Sequence, residues 1–112
     1  MDLKQKYVSD DGRLTLIVYQ KGDDWIIGFD GSEWHTHGDL LIPEYGHSPT
    51  IAIENFIKSI LEDQELIAIS EFPDKPPYIS VIDDPELVRK YKLPEETLIF
   101  RTWSEKPKIN QD

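Results

Sequence analysis

The feature that most restricts the fold is one long helical stripe in a chain otherwise written for strands. Ile53, Phe56, Ile57, Ile60 and Leu61 recur at i, i+3, i+4, i+7 and i+8, so they share one side of a helix and need an apolar surface to cover. Ser48-Pro49 opens that helix, because a serine hydroxyl can accept from the free first-turn amides and proline suits the first helical position. Glu54 and Lys58 sit on the other face at a favourable i, i+4 spacing. A chain of 112 residues has room for one core, which predicts a single domain over residues 1–112.

The surface under the helix comes from strands. Residues 4–8 read as a short strand and Asp10-Asp11-Gly12 as a tight turn. From Leu14 to Gln20 the side chains alternate, with Leu14, Leu16 and Val18 one way and Thr15, Ile17 and Tyr19 the other. Lys21-Gly22-Asp23 turns the chain into a Trp25–Phe29 strand. Leu40-Leu41-Ile42 leads into a loop from Pro43 to Pro49. After the helix, Glu65–Phe72 and Tyr78–Ile82 read as strands joined by a Pro73–Pro77 turn. Asp84-Pro85 caps a short helical turn through Tyr91 with Leu87, Val88 and Tyr91 inward. Thr97–Trp103 reads as the last strand, and 104–112 as a frayed tail.

This order predicts an α+β fold: a single antiparallel β-sheet of five to six strands, one main α-helix packed on one face, and a second short helix. Several strands are apolar on both sides. The sheet therefore curls around its core or meets another chain, and a homodimer stays open.

Charge narrows the function. The formal net charge is −10, and from Gly22 to Ile57 seven carboxylates meet no Lys or Arg. Such a surface repels phosphates and anionic membranes and attracts basic proteins. Arg89, Lys90 and Lys92 around Tyr91 form the one basic cluster, better read as a solvated helix end than a nucleic-acid contact. The absence of cysteine removes thiolate ligands and disulfides and fits a reducing compartment. The opening residues lack the apolar core of a secretion signal, and no stretch has the length of a membrane span, so the expected location is the cytoplasm.

The chemistry-bearing stretch is Asp30-Gly31-Ser32-Glu33-Trp34-His35-Thr36-His37-Gly38-Asp39. On an extended backbone His35 and His37 project to one side and could share a metal ion, with Asp30, Glu33, Asp39 or His47 as candidates for a third ligand. Trp34-His35-Thr36-His37 resembles the core of the JAMM metallo-isopeptidases. Gly38, Gly46 and Pro49 stand where that motif carries its proline, serine and ligating aspartate. The His-x-His pair also resembles a cupin motif, but no histidine follows His47 to complete the second cupin motif. No Gly-x-Ser-x-Gly elbow or phosphate-binding glycine loop is present.

Recognition of a protein is the expectation that remains. Glu33, Asp39 and Glu44 are the expected electrostatic contacts, Trp34 or Tyr45 the aromatic anchors, and His35 and His37 part of the same surface. Gly28-Phe29-Asp30-Gly31 running into Trp34-His35-Thr36-His37-Gly38-Asp39, with the small acidic layout, is similar to bacterial immunity proteins paired with contact-dependent or other polymorphic toxins. The resemblance implies a non-enzymatic protein that binds a cognate, often basic, toxin and covers its active site or blocks its substrate path, with no cofactor. Two alternatives stand beside it. One is a metal-dependent hydrolase using His35, His37 and Asp39, and the other is a self-associating structural or adaptor subunit.

Overall fold

The computed structural model describes residues 2–104. In chain order the elements are β1 (Asp2–Val8), β2 (Thr15–Lys21), β3 (Asp24–Phe29), β4 (His35–His37), α1 (Gly38–Tyr45), α2 (Pro49–Leu61), β5 (Leu66–Phe72), β6 (Lys75–Ile82), α3 (Pro85–Lys90) and β7 (Thr97–Arg101). The fold is α+β. Its strands, however, form two antiparallel sheets, ordered β1-β2-β3-β4 and β6-β5-β7, instead of the single sheet expected.

A side chain closes the outer edge of β6. Ser32, in the β3–β4 loop, donates to the carbonyl of Ile79 at 3.0 Å and accepts from its amide at 2.8 Å. Both outward backbone groups of Ile79 are thereby satisfied by a hydroxyl, where a further strand would otherwise pair.

Both sheets and both longer helices feed one core. Leu14, Leu16, Val18, Ile27 and Phe29 come from the first sheet's side, and Ile67, Ile69 and Ile79 from the second sheet. Ala52, Ile53, Phe56, Ile57 and Ile60 of α2 complete it with Leu41 and Trp103. The helical stripe is buried as its spacing requires, and Ser48 caps α2 by accepting from the Ile51 amide at 3.3 Å. The Asp84 carboxylate likewise caps α3, accepting from the amides of Glu86 and Leu87.

Three local expectations are corrected. Residues 38–45 form a helix, not an apolar run followed by a loop from Pro43. A proline within so short a helix forfeits one backbone bond, and burial of Leu41 with inward packing of Ile42 and Tyr45 outweighs that loss. Leu87 and Tyr91 are 52% and 70% exposed, because the six-residue α3 buries no residue and only Pro85 and Val88 turn partly towards the protein. Ser104 is not frayed: its amide and hydroxyl donate to the Asp63 carboxylate. The rest of the expected tail, 105–112, lies outside the described residues.

The outer face of the first sheet carries Ile17, Tyr19 and Ile26 in line with exposed Leu3 and Val8, so it has the character that contact with a second chain would need. Among the described residues no helix is long and apolar enough to cross a membrane.

One buried ion pair ties the chain's ends together. Arg101, 2% exposed, donates to the Asp11 carboxylate at 2.6 Å and to the carbonyls of Thr102 and Trp103 at 2.9 and 2.7 Å. Asp11 also accepts from the Ser9 hydroxyl and the Arg13 amide, so the β1–β2 turn closes on β7's end. The Arg101 hydrogen bond holds the Asp11 carboxyl well below the usual carboxylate range. A depressed carboxylate stabilises the fold above its unfolded value of 3.8, and that stability is lost as pH falls through the lower folded value. Removing the guanidinium strands a carboxylate that keeps some water contact, so Arg101→Met should cost ~3 kcal/mol in chemical denaturation, near the low end for a broken buried pair. The Asp11→Asn variant should lose stability at neutral pH and show a shallower fall below pH 3.8 than the parent.

Candidate functional site

The expected surface stretch is held by close backbone approach. β4 pairs with β3 with His35 opposite Gly28 and His37 opposite Ile26. A Cβ on Gly28 would lie 2.7 Å from the Trp34 carbonyl oxygen and 3.2 Å from the His35 Cβ, so only glycine lets β4 lie there. Gly38 does the same at the start of α1, where a Cβ would come within 2.8 Å of the Pro49 carbonyl oxygen. The loop, α1 and the start of α2 are therefore set against one another by two missing side chains.

The histidines share a face as predicted, with ring centroids 5.2 Å apart in an edge arrangement. Each is committed through Nδ1. His35 Nδ1 lies 3.1 Å from the Glu33 carbonyl oxygen, which can only accept, so that nitrogen carries the proton. His37 Nδ1 lies 3.0 Å from both oxygens of Asp24. Among the described residues no group of three or more His, Asp or Glu side chains is arranged to hold a metal ion. Among these residues Asp39 does not complete a set with His35 and His37.

The aromatic candidates part company. Trp34 is half-buried and packs on Phe29 with centroids 5.8 Å apart. Tyr45 turns inward: its ring meets Phe56 edge-on at 5.1 Å, and its hydroxyl donates to Glu65 at 2.5 Å. Ser59 donates to the same Glu65 oxygen at 2.5 Å. Burial and the adjoining Glu65 and Glu44 carboxylates hold the Tyr45 phenol far above its usual range. Tyr45 is thus a fastening between α1 and α2, not a free anchor.

Glu33 stands apart from Asp39 and Glu44, which share α1. Glu33 stands beside Ser32 at the mouth of grooves on the outer faces of both sheets. Glu44 lies on exposed α1 surface beside Tyr45. Asp39 alone opens onto a cleft of about 420 Å³, with Asp23, Asp24, Trp25, His37, Leu40 and Pro49. Three carboxylates thus meet a half-buried indole and a leucine that is 68% exposed, and no Lys or Arg lines the space. Sequence reasoning passes over Asp23 and Asp24 because adjacent acids at a turn are explained by local hydrogen bonding. Their usable signal is their place next to Trp25 inside the cation-free run.

This arrangement can attract a cation beside an apolar neighbour. No protein-family model matches the chain, and no curated protein or solved structure matches it.

Ser32→Ala should leave the Ile79 amide and carbonyl without their partner and cost about 1–2 kcal/mol of stability. Hydrogen exchange checks it directly: the Ile79 amide should lose protection selectively, whereas unchanged protection would mean the hydroxyl does not hold the two sheets in register.

Proposed function

We propose that the chain is a non-enzymatic binding protein that recognises a cationic protein partner through the cleft of Asp23, Asp24 and Asp39. The observation that carries this reading is the cleft's lining, three carboxylates with no Lys or Arg, beside the exposed side chain of Leu40. Among the described residues Arg101 pairs with Asp11 and the His37 ring meets Asp24, whereas Asp23 and Asp39 face no cationic side chain. Carboxylates gathered around low-dielectric walls focus the field and speed encounter with a basic surface, while an exposed leucine supplies apolar area that a contact can bury.

Within that reading, the biological role we propose is that of an immunity protein. The cleft and the α1 face of Asp39, Leu40, Pro43 and Glu44 would cover the basic residues with which a nuclease toxin holds phosphate. Neutralisation would be stoichiometric, by blocking the substrate path. Relative to the expected surface, the contact moves from Glu33 and Tyr45 towards Asp23, Asp24 and Leu40.

The test uses the protein encoded beside this chain's gene, taken as the cognate toxin. With the parent chain, association should be fast at low salt and slow steeply as salt is added. Asp23→Asn/Asp24→Asn/Asp39→Asn should reduce the association rate about tenfold at low ionic strength and flatten its salt dependence. Leu40→Asp should act chiefly on dissociation. Unchanged rates and salt slope in the triple variant, with its thermal melt intact, would remove the cleft from the interface.

A further inference from the structure

We propose that the outer face of the β6-β5-β7 sheet is a binding site for a small, uncharged, mainly apolar molecule with one hydroxyl or carbonyl group. The strands alternate, so with Ile67, Ile69 and Ile79 in the core, Ala68, Ser70, Tyr78 and Ser80 turn outward. Ala68 stands between Ser80 and Phe100 across the strands, and Ser70 between Tyr78 and Leu98. Small side chains therefore floor the middle of the sheet. Phe72, Pro77 and Tyr78 of the β5–β6 hairpin rise on one side, with Val88 of α3 and Leu98 of β7 also lining the space. The resulting groove has a volume of about 790 Å³, within the range of small-molecule sites.

One polar group in the floor is left for a ligand. Ser80 is only 8% exposed although it faces outward, and among the described residues no hydrogen bond reaches its hydroxyl. No sealed side-chain polar atom lacks a partner among those residues, so the Ser80 hydroxyl opens into the groove. The neighbouring Ser70 hydroxyl already donates to Glu96, and Glu96 also accepts from the Leu93 amide at 3.0 Å. A bound molecule thus meets the unused Ser80 hydroxyl in an apolar floor, with the exposed Tyr78 phenol at the wall.

This chemistry selects the occupant. A peptide laid across the face would bury an amide and a carbonyl per residue against the hydroxyls of Ser80 and Tyr78 alone. It could not add as a strand at Ile79 of β6, because Ser32 already takes both outward backbone groups there. Charge points the same way. Lys75 and Glu33 put one charge of each sign in the lining, and Glu96, the third charged group, is already hydrogen-bonded. The site shares no residue with the acidic cleft and stands or falls apart from the docking reading.

The test compares 2-naphthol with 2-methylnaphthalene, rings of one size differing in hydroxyl against methyl, by backbone-amide NMR titration of the full chain. Both should saturate a single site, with shifts confined to β5, β6, β7, α3 and the Gly31–Glu33 loop. The naphthol should bind roughly fivefold to tenfold tighter, the worth of one hydrogen bond, and lose that advantage in Ser80→Ala. Because this hydroxyl has no protein partner, Ser80→Ala should leave the melting temperature unchanged or raised, which keeps the comparison valid. Ala68→Leu, which fills the floor, should weaken both probes roughly tenfold. Absence of saturation, shifts centred on Ile17, Tyr19 and Ile26 of the other sheet, or a naphthol preference that survives Ser80→Ala would overturn the site. Tighter binding of 2-naphthoate than of 2-naphthol would overturn its preference for an uncharged molecule.

Discussion

Everything in the structure follows from the inability of either sheet to bury a face on its own. A three- or four-stranded antiparallel sheet exposes an apolar surface that needs another layer, and this chain supplies one long helix for two sheets. The stripe of Ile53, Phe56, Ile57 and Ile60 enters one cluster with Leu16, Val18 and Phe29 from one sheet and Ile67, Ile69 and Ile79 from the other. The core is therefore held in common. Loss of any of the three contributors leaves the other two with apolar area in water, and hydrophobic burial is the largest favourable term in folding.

Polar groups then decide how the common core is closed. Arg101 and Asp11 bridge the first turn and the last strand, and each is surrounded by further hydrogen bonds, so the buried charges are matched rather than stranded. Ser32 acts between the sheets, ending the β6 ladder with a side chain and fixing the loop that leads into Trp34, His35 and His37. These contacts give direction to an apolar core that on its own would accept several arrangements. They also link fold to surface, because the Ser32 loop lies between the outer faces of the two sheets.

The surface chemistry is a consequence of that closure. With α1 pressed against α2 through Gly38 and Pro49, its remaining face points Asp39, Leu40, Pro43 and Glu44 outward. The β2–β3 turn brings Asp23 and Asp24 to meet it, and His37 joins the two by its contact with Asp24. Acids separated by about fifteen residues in the chain become neighbours through one strand pairing, β3 with β4. Glu33, of the same run, goes instead to the Ser32 loop, while Glu44 stays on the α1 face beside Tyr45.

What the sequence determined by itself was periodic or strictly local. The stripe of α2, the inward Leu14, Leu16 and Val18, the caps at Ser48 and Asp84 and the α+β class depend on spacing and on the hydrogen-bonding habits of individual residues. The pairing of His35 with His37 on one face was legible for the same reason. Tertiary structure decided what depends on distant partners. Pro43 argued against a helix at 38–45 until core packing outweighed it, and Tyr45 resembled an exposed anchor until Glu65 and Phe56 met it. The closing of β6's outer edge turned on Ser32 reaching Ile79, and the gathering of Asp23, Asp24 and Asp39 on which strands paired. Propensity is a property of neighbours in the chain, whereas burial and charge proximity belong to groups that only the closed fold brings together.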